Sequence, residues 1–482
     1  MNRENNKPSV RTIKLPDIEQ RSIDFIPLHE RHGKVWHQAP FWFTGNFVLT
    51  TMVVGFTGPT LGLGALQAMV AIFLGVCIGT FFMAFHANQG PRMGLPQMIQ
   101  SRAQFGLRGA ILPFVAVIFV YIGFNVFNLI LAADAIATLV PGQRVSCYAL
   151  LLALAALLAI AGHDVLHAIQ RWLTHAMIIL FGGLTVGALF NLHMNAALGS
   201  TAPFTWSAFL IQLSAAAGYQ ISYAVYVSDY SRYLPQETPA RLVIFWTYLG
   251  AAASALWLMA LGAWLASALP RPDAIGSLRE VGNALLPGLG GFTVVLAVPS
   301  LITVMAVNSY GAMLTSLSAA DALGRITPTP ALRAAGIGVI ALMVFGVALA
   351  IPPAYLGSFN TFVLLMLYFL VPWTAVNLVD FYLVRKGHYD IGELFNPNGI
   401  YGQWGRPGLA AYVIGLVAMI PFVSLSFYTG PVAAALGGAD MAFVVGLLVA
   451  GASYVVMARS QGQQTERQAD TNQESMPGKE PI

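Results

Sequence analysis

The sequence predicts an all-α integral membrane protein with twelve transmembrane helices. Of its 482 residues, 57% are hydrophobic and only 9% are charged, and the mean hydropathy is +0.69. Soluble domains carry about 25% charged residues. Apolar windows of about 20 residues, the helical length that crosses a hydrocarbon core of about 30 Å, recur along the whole chain. The lipid bilayer is therefore the expected environment.

Charged and turn residues separate the apolar windows into twelve predicted spans. In order, these are residues 41–64, 66–87, 111–139, 146–162, 168–190, 206–228, 242–268, 291–319, 332–351, 355–383, 408–428 and 439–457. The polar segment 1–40 precedes them without the short apolar region of a secretory signal, so we expect a retained N-terminal tail. The polar segment 458–482 is expected to be a disordered tail.

The distribution of basic residues predicts the orientation. If the N-terminus is cytoplasmic, 21 of the 24 Lys and Arg residues lie in cytoplasmic segments and three lie outside. Such a bias is typical of a multi-pass protein of the cell membrane, a bacterial inner membrane or a plasma membrane. Both termini are therefore predicted to be cytoplasmic. Nothing in the sequence specifies an oligomeric state.

The sequence carries no signature of an enzyme. It contains no H-E-x-x-H, G-x-S-x-G, Walker A or G-x-G-x-x-G motif. His163 and His167 form an i, i+4 pair, which we interpret as a polar helix boundary rather than a metal site. No catalytic residue, metal site or cofactor is therefore expected, and the net charge of +4 implies no nucleic-acid partner.

Two spans, five helices apart, are interrupted by polar and small residues. Span one contains Asn46, Thr50 and Thr51 beside glycines, and span six contains Gly218, Gln220 and Ser222. This pattern is expected of corresponding discontinuous helices in two inverted halves, where unwound backbone faces a site at the bilayer midplane. The alternative is that the glycines only permit close helix packing, as expected for those of "GVCIG" in span two.

Further polar residues are concentrated in spans three and eight. Tyr121 and Asn125 share one face of span three at i, i+4 spacing, an aromatic plane beside an amide. Span eight carries Ser300, Thr303 and Asn308. Intramembrane polar groups tend to face a cavity or the bundle interior, although each one alone is more simply a helix-packing group.

For the charged residues near the ends of the spans, a structural role is the first interpretation and a role in transport the second. Asp229 and Arg232 are expected to form an interfacial ion pair at the cytoplasmic end of span six. Asp134, near the outer end of span three, and Asp380, near the inner end of span ten, are lesser candidates for coupling or gating.

Four segments resemble the nucleobase:cation symporter-1 family, and the first of them looks closest to the purine-cytosine permease branch of that family. They are "FWFTGNFVLTTMVVGFTGPTLGLG", "GPRMGLPQMIQSRAQFGLRGA", "YVSDYSRYLP" and "PWTAVNLVDFYLVRKGHYDIGELFNPNGIYGQWG". The resemblance implies a leucine-transporter-like fold with inverted five-helix repeats at residues 41–190 and 206–383 and two peripheral helices at residues 408–457. It also implies a small heterocycle bound between the broken helices one and six and helices three and eight.

The residues and the resemblance together give a predicted site. The family's third-helix motif matches Tyr121 and Asn125, its eighth-helix asparagine matches Asn308, and its helix-six aromatic falls at Tyr219 or Gln220. The predicted substrate-binding residues are Thr50, Thr51, Tyr121, Asn125, Tyr219, Gln220, Ser222 and Asn308. The predicted coupling-ion residues are Ser300 and Thr303.

The predicted function is ion-coupled import of a small neutral heterocycle, cytosine or a purine first, by alternating access. Allantoin, hydantoin or thiamine-like compounds are alternative substrates, and a non-transporting receptor of the same fold is an alternative of another class. The coupling ion is H⁺ or Na⁺. Sodium-coupled relatives carry two adjacent hydroxyls where this chain has Ile302 and Thr303, so protons are preferred, with Asp134 or a histidine such as His175 as carrier.

Overall fold

A computed structural model describes residues 24–140, 142–161, 163–191, 203–269, 273–324, 326 and 329–474. The predicted N-terminal tail is therefore described only from Asp24, and the side chains of His163 and His167 lie outside the description. Within these residues the chain is helical, apart from connecting segments and one two-stranded antiparallel hairpin. Its strands are β1, Ser424–Leu425, and β2, Tyr428–Thr429.

Helices cover the predicted spans in both halves. The helices of the first half are α1 Gln38–Asn46, α2 Leu49–Val54, α3 Thr57–Thr60, α4 Ala65–Ala87, α5 Gln89–Met93, α6 Gln97–Gln100, α7 Arg102–Phe105, α8 Ile111–Ala137, α9 Arg144–Ala161 and α10 His163–Asn191. Those of the second half are α11 Trp206–Ile221, α12 Val227–Ser231, α13 Ala240–Ala268, α14 Ala274–Leu285, α15 Leu289–Leu323, α16 Pro330–Ala350 and α17 Leu356–Val379. The last three are α18 Arg406–Met419, α19 Pro431–Ala435 and α20 Ala442–Glu474.

Short helical turns complete the architecture. In the part of the chain that the structure describes, five are 3-10 turns, at Leu28–Glu30, Val35–His37, Ser222–Val225, Gly392–Phe395 and Ile420–Phe422. One π-helical turn at Asp380–Val384 follows α17 directly.

The predicted count of twelve spanning helices is not confirmed. Among the described residues, nine helices are long and apolar enough to cross a membrane, and the bent pair Val35–Asn46 with Leu49–Thr60 raises the number to at most ten. The helices of spans six and eleven are too short, because span six is divided between α11 and α12 and the apolar helix of span eleven covers only Arg406–Phe422.

Two helical segments differ from the sequence prediction. The last helix continues to Glu474, where we predicted a disordered tail from residue 458, because Ala, Gln, Glu and Arg propagate a helix that is already nucleated. Helix α14 lies in the predicted loop between spans seven and eight, and Asp273 caps it by accepting a 2.7 Å hydrogen bond from the Gly276 amide. A search for long apolar windows does not detect such an amphipathic helix.

Many of the helices pack in two groups. Helix α4 packs on α11 and α13, and α1 and α2 pack on α13, which brings spans one, two, six and seven together. Helices α8, α9, α15 and α16 form the second group from spans three, four, eight and nine. As expected for the glycines of "GVCIG", Gly75 and Gly79 leave no room for a side chain against the carbonyl oxygens of Leu213 and Ala217 in α11.

Candidate functional site

The first span is broken at Phe47 and Val48. Its two halves are bent by 70°, and Val48 has extended backbone angles of φ −133° and ψ 157°. The carbonyl oxygen of Asn46 accepts a 3.1 Å hydrogen bond from the Val48 amide and a 2.6 Å hydrogen bond from the Thr51 hydroxyl. A threonine side chain thus takes the acceptor that a continuous helix would use, which explains why this segment does not remain helical.

The second break lies at Ser222–Tyr226, not at Gly218 as predicted. Helix α11 runs to Ile221, and Tyr226, with φ −141° and ψ 9°, separates the following 3-10 turn from α12. Gly218 instead permits close packing on α17, because a Cβ there would lie 2.9 Å from the Leu367 Cβ. The hydroxyl of Ser222 donates a 2.6 Å hydrogen bond to the Tyr219 carbonyl oxygen, so Ser222 shapes the break and does not line the cavity beside it.

A cavity of about 1080 Å³ connects the two breaks with the N-terminal end of α1. It reaches the surface at Trp36, which is 51% exposed. Phe124, which lines the cavity, packs edge-to-face on Phe362 of α17 with ring centroids 5.3 Å apart, and Phe127 packs on Phe359 of α17 at 5.1 Å. The cavity is therefore open toward the N-terminus of α1, and its lining ring Phe124 packs against an aromatic ring of α17.

Aromatic side chains form much of the cavity wall. Phe124 of α8 and Tyr219 of α11 meet at right angles, with ring centroids 5.4 Å apart and an interplanar angle of 88°. The Tyr219 hydroxyl is 2.8 Å from the Thr51 hydroxyl, which holds the ring against the first break. Further rings line the path to the surface: Phe41, Trp42, Phe43, Tyr223, Tyr226 and Tyr230.

Two carboxamides and the Thr50 hydroxyl are among the polar groups that line the cavity near the breaks. Asn128 of α8 and Asn308 of α15 line it on the side of one helix group, and Thr50 of α2 lines it on the other. The Thr50 hydroxyl donates a hydrogen bond to Asn128 Oδ1 across the two groups. A planar ligand at this depth would meet aromatic faces and amide hydrogen-bonding groups together.

In span three, the aromatic and amide residues that line the cavity are Phe124 and Asn128, which lie three residues after the predicted pair Tyr121 and Asn125. Tyr121 does not line the cavity; its ring stacks on Tyr226 at a centroid distance of 5.8 Å. Asn125 Nδ2 donates hydrogen bonds of 3.2 Å to the Met305 carbonyl oxygen and 2.9 Å to the Ser309 hydroxyl, which join α8 to α15. The same spacing, an aromatic residue followed four residues later by an amide, also occurs at Phe124 and Asn128. This second pair is the feature of the sequence from which the lining residues could have been predicted.

The structure separates Tyr219 from Gln220. Gln220 is fully buried behind the cavity, where its Oε1 accepts a 2.9 Å hydrogen bond from Asn46 Nδ2. Its Nε2 donates hydrogen bonds of 2.7 Å to the Thr80 hydroxyl and of 3.3 Å to the Ala251 carbonyl oxygen. Tyr219 is the residue that faces the cavity, and Gln220 and Thr51 support it from behind.

Ser300 and Thr303 lie in α15 but do not line the cavity. Both are buried, and the Thr303 hydroxyl donates a 2.8 Å hydrogen bond to the Ser300 carbonyl oxygen of its own helix. The α15 residues that line the cavity are Val304, Val307 and Asn308.

The lining residues within the described chain include no Asp, Glu, Lys or Arg, and the titratable imidazoles among them are His37 and His175. Asp134 lies elsewhere and pairs with Arg144 at 3.6 Å. The described residues also contain no cluster of three or more His, Cys, Asp or Glu side chains that could hold a metal ion. The cavity therefore suits an uncharged ligand.

The other two predicted acidic residues have structural partners. Asp229 Oδ1 accepts a 2.7 Å hydrogen bond from the Gln97 amide, which fixes α12 to the first turn of α6. Asp380 is fully buried. It accepts hydrogen bonds of 2.8 Å from each of the hydroxyls of Tyr389 and Tyr454 and ties the end of α17 to α20.

Comparison with known proteins gives matches along most of the chain. Residues 25–446 match the model of a family described as permeases for cytosine/purines, uracil, thiamine and allantoin. The Bacillus subtilis protein YxlA, which is named as a purine-cytosine permease, is 38% identical over 447 residues, covering 92% of this chain and 96% of that protein. The purine-cytosine permease fcyB of Emericella nidulans is 26% identical over 484 residues, covering 92% and 88%.

Solved structures of the transporter Mhp1 share the fold. The closed form with bromovinylhydantoin bound matches with a TM-score of 0.73 at 18% identity, covering 92% of this chain and 96% of that one. The inward-facing form also matches with a TM-score of 0.73, at 16% identity and coverage of 93% and 95%. These matches confirm the predicted leucine-transporter-like fold class.

Proposed function

This chain belongs to the permease family for cytosine/purines, uracil, thiamine and allantoin, and from this premise we propose that it imports an uncharged planar heterocycle of the nucleobase class, cytosine or a purine first. It is a multi-pass membrane transporter and not an enzyme. Transport is coupled to a cation and proceeds by alternating access, as expected of a symporter with the Mhp1 fold.

One observation carries the substrate proposal: the cavity at the two helix breaks combines aromatic faces with carboxamides and carries no charged side chain among its described lining residues. Stacking of a base on an aromatic side chain contributes about 1–3 kcal/mol and tolerates different bases. Phe124 and Tyr219 offer such faces, while Asn128 and Asn308 offer donors and acceptors at the same depth. A nucleobase presents a matching flat surface and polar edge.

We further propose that the structure represents an inward-open state. The cavity opens beside the N-terminus of α1, which the distribution of Lys and Arg predicts to be cytoplasmic. The ring packing of Phe124 on Phe362 then closes the extracellular side. In this state the substrate would leave toward the cytoplasm along the wall formed by Tyr223, Tyr226 and Tyr230.

The coupling ion is proposed to be a proton, with sodium as the alternative. His175, which lines the cavity, is better placed to carry a proton to it than Asp134, which pairs with Arg144. Sodium would instead bind between the break at Val48 and the hydroxyls of Ser300 and Thr303, where unwound carbonyls supply oxygen ligands. Two observations weigh against sodium. Ile302 stands where a second hydroxyl would be needed, and the Thr303 hydroxyl donates its hydrogen bond to a carbonyl oxygen of its own helix.

A thermal-shift screen of the purified protein tests the substrate class. The panel contains cytosine, uracil, adenine, hypoxanthine, allantoin, a hydantoin, thiamine and pyridoxine, because a ligand at 100 times its dissociation constant stabilises the folded state by about 2.7 kcal/mol. A shift with cytosine or a purine is the expected result. A shift with only the last four compounds would contradict the nucleobase assignment while leaving the permease family intact.

A further inference from the structure

We propose that Thr50 is a positioning residue that orients the carboxamide of Asn128, so that the site presents hydrogen-bond donors to the ligand at this point. The inference rests on the proposed function and names a feature the substrate must have. Thr50 lies in the first turn of α2 and Asn128 in the middle of α8, and the Thr50 hydroxyl donates to Asn128 Oδ1. Each residue is 1% exposed, so the bond is largely shielded from solvent.

The neighbouring backbone explains why the Thr50 hydroxyl turns to Asn128. A threonine in a helix commonly donates to the carbonyl four residues earlier, which for Thr50 is that of Asn46. That oxygen already accepts from the Val48 amide at 3.1 Å and from the Thr51 hydroxyl at 2.6 Å. A carbonyl oxygen has two lone pairs, so the acceptor is filled. The two adjacent threonines therefore have different roles. The Thr51 hydroxyl donates to the Asn46 carbonyl oxygen at the break, and the Thr50 hydroxyl donates to Asn128 of α8.

This arrangement determines which atom of the Asn128 amide faces the ligand. If the amide were flipped, the buried Thr50 hydroxyl would lose the acceptor for its proton, and an unsatisfied buried donor is costly. With Oδ1 toward Thr50, the Nδ2 group has no protein partner among the described residues, and Asn128 lines the cavity. The two N–H bonds of Nδ2 are left for a ligand.

The consequence is a requirement on the substrate. The edge that meets α8 must carry an acceptor, a carbonyl oxygen or an unprotonated ring nitrogen. A site built to donate to such a group discriminates against an analogue that places an amino group there, since two donors then meet. Keto and amino members of one ring system, such as hypoxanthine and adenine or uracil and cytosine, are therefore suitable probes of the amide orientation.

The experiment measures competition binding of these four bases to the purified full-length protein. Three variants are compared: Thr50→Val, which removes the donor at similar size, Thr50→Ser, which keeps it, and Asn128→Asp, which replaces the amide donors by acceptors. In at least one pair, Thr50→Val should shift the affinity ratio by about tenfold toward the amino member, the factor expected for one hydrogen bond. Asn128→Asp should shift the ratio in the same direction, and Thr50→Ser should leave it within about threefold of wild type.

The outcomes separate this inference from the proposed function. If Thr50→Val leaves both ratios unchanged, or shifts them toward the keto members, the orienting role of Thr50 is wrong although the nucleobase site stands. If wild type binds none of the four bases, the proposed function fails and this inference fails with it. Should Asn128→Asp not fold, the Thr50→Val and Thr50→Ser pair still decides, because a purely structural role for Thr50 would lower the melting temperature without changing an affinity ratio.

Discussion

Asn46 Nδ2 donates a 2.9 Å hydrogen bond to Gln220 Oε1, which joins the broken first span to the sixth. The same nitrogen donates a 2.9 Å hydrogen bond to the Ala251 carbonyl oxygen of α13. Gln220 Nε2 in turn donates a hydrogen bond to the Thr80 hydroxyl of α4. All four helices belong to one packed group. The network therefore holds the two breaks in register behind the cavity, and the proposed ligand contacts come from the side chains that line it.

This relationship predicts that Gln220 affects stability more than ligand affinity. Gln220→Met keeps the approximate volume, but one of the two N–H bonds of Asn46 Nδ2 loses its acceptor and the Thr80 hydroxyl oxygen loses its donor. Each such buried group costs about 1–3 kcal/mol. We expect a lower melting temperature and a ligand dissociation constant within about threefold of wild type. Tyr219→Ala is the matched control, and it should weaken binding. If Gln220→Met had the melting temperature of wild type but no longer bound ligand, Gln220 would be a ligand-binding residue and this prediction would be wrong.

A second prediction concerns the register of α8. Asn128→Ala should weaken nucleobase binding by about tenfold or more, since it removes a polar group from the cavity wall. Asn125→Ala is the control one turn away, and it should lower the melting temperature because it breaks the bonds to Met305 and Ser309. Competition binding and thermal melting of both variants check this. The reverse result would mean that the family pattern at Tyr121 and Asn125 identifies the ligand residues correctly.

A third prediction concerns the aromatic wall. Phe124→Ala should weaken binding by about tenfold, the factor expected for the loss of one stacked face, whereas Phe124→Tyr should retain most of the affinity. Tyr121→Ala removes a ring of similar size that packs on Tyr226 outside the cavity, and binding should change by less than about threefold. Equal losses in Phe124→Ala and Tyr121→Ala would indicate a general loss of packing rather than stacking on the ligand.

The coupling ion gives a fourth prediction. Proteoliposomes should accumulate substrate under an imposed pH gradient in sodium-free buffer, and His175→Ala should abolish this accumulation while equilibrium binding remains. Accumulation that needs a sodium gradient at matched pH would overturn the proton assignment. In that case Thr303→Ala should raise the sodium concentration for half-maximal uptake, and an unchanged value would remove Thr303 from the ion site.

The sequence predicted the membrane class and the positions of the broken spans because hydropathy and helix-breaking residues are local properties. Asn46, Thr50 and Thr51 interrupt span one, and the structure breaks there. The exact residue of the second break was not predictable from Gly218, because a glycine serves close packing and chain bending equally well. Its contact with Leu367 of α17, a residue far along the chain, decided between the two.

The details of the site depended on rotation of the helices, which local sequence does not determine. Span three carries two aromatic-amide pairs with the same spacing, Tyr121 with Asn125 and Phe124 with Asn128, and only packing against α15 shows which pair faces the cavity. Likewise, adjacent residues of a helix point about 100° apart, so Tyr219 and Gln220 could be separated only once α4 and α13 were in place around them.

The most direct test of the central claim is uptake of a radiolabelled base into sealed proteoliposomes. Labelled cytosine and hypoxanthine are assayed with and without an imposed ion gradient, using liposomes that contain the Tyr219→Ala variant as control. The account predicts accumulation of at least one base above the external concentration, its loss when an ionophore collapses the gradient, and its loss in the Tyr219→Ala control. Saturable binding of a base to the wild-type protein without any accumulation would contradict transport and indicate a receptor instead.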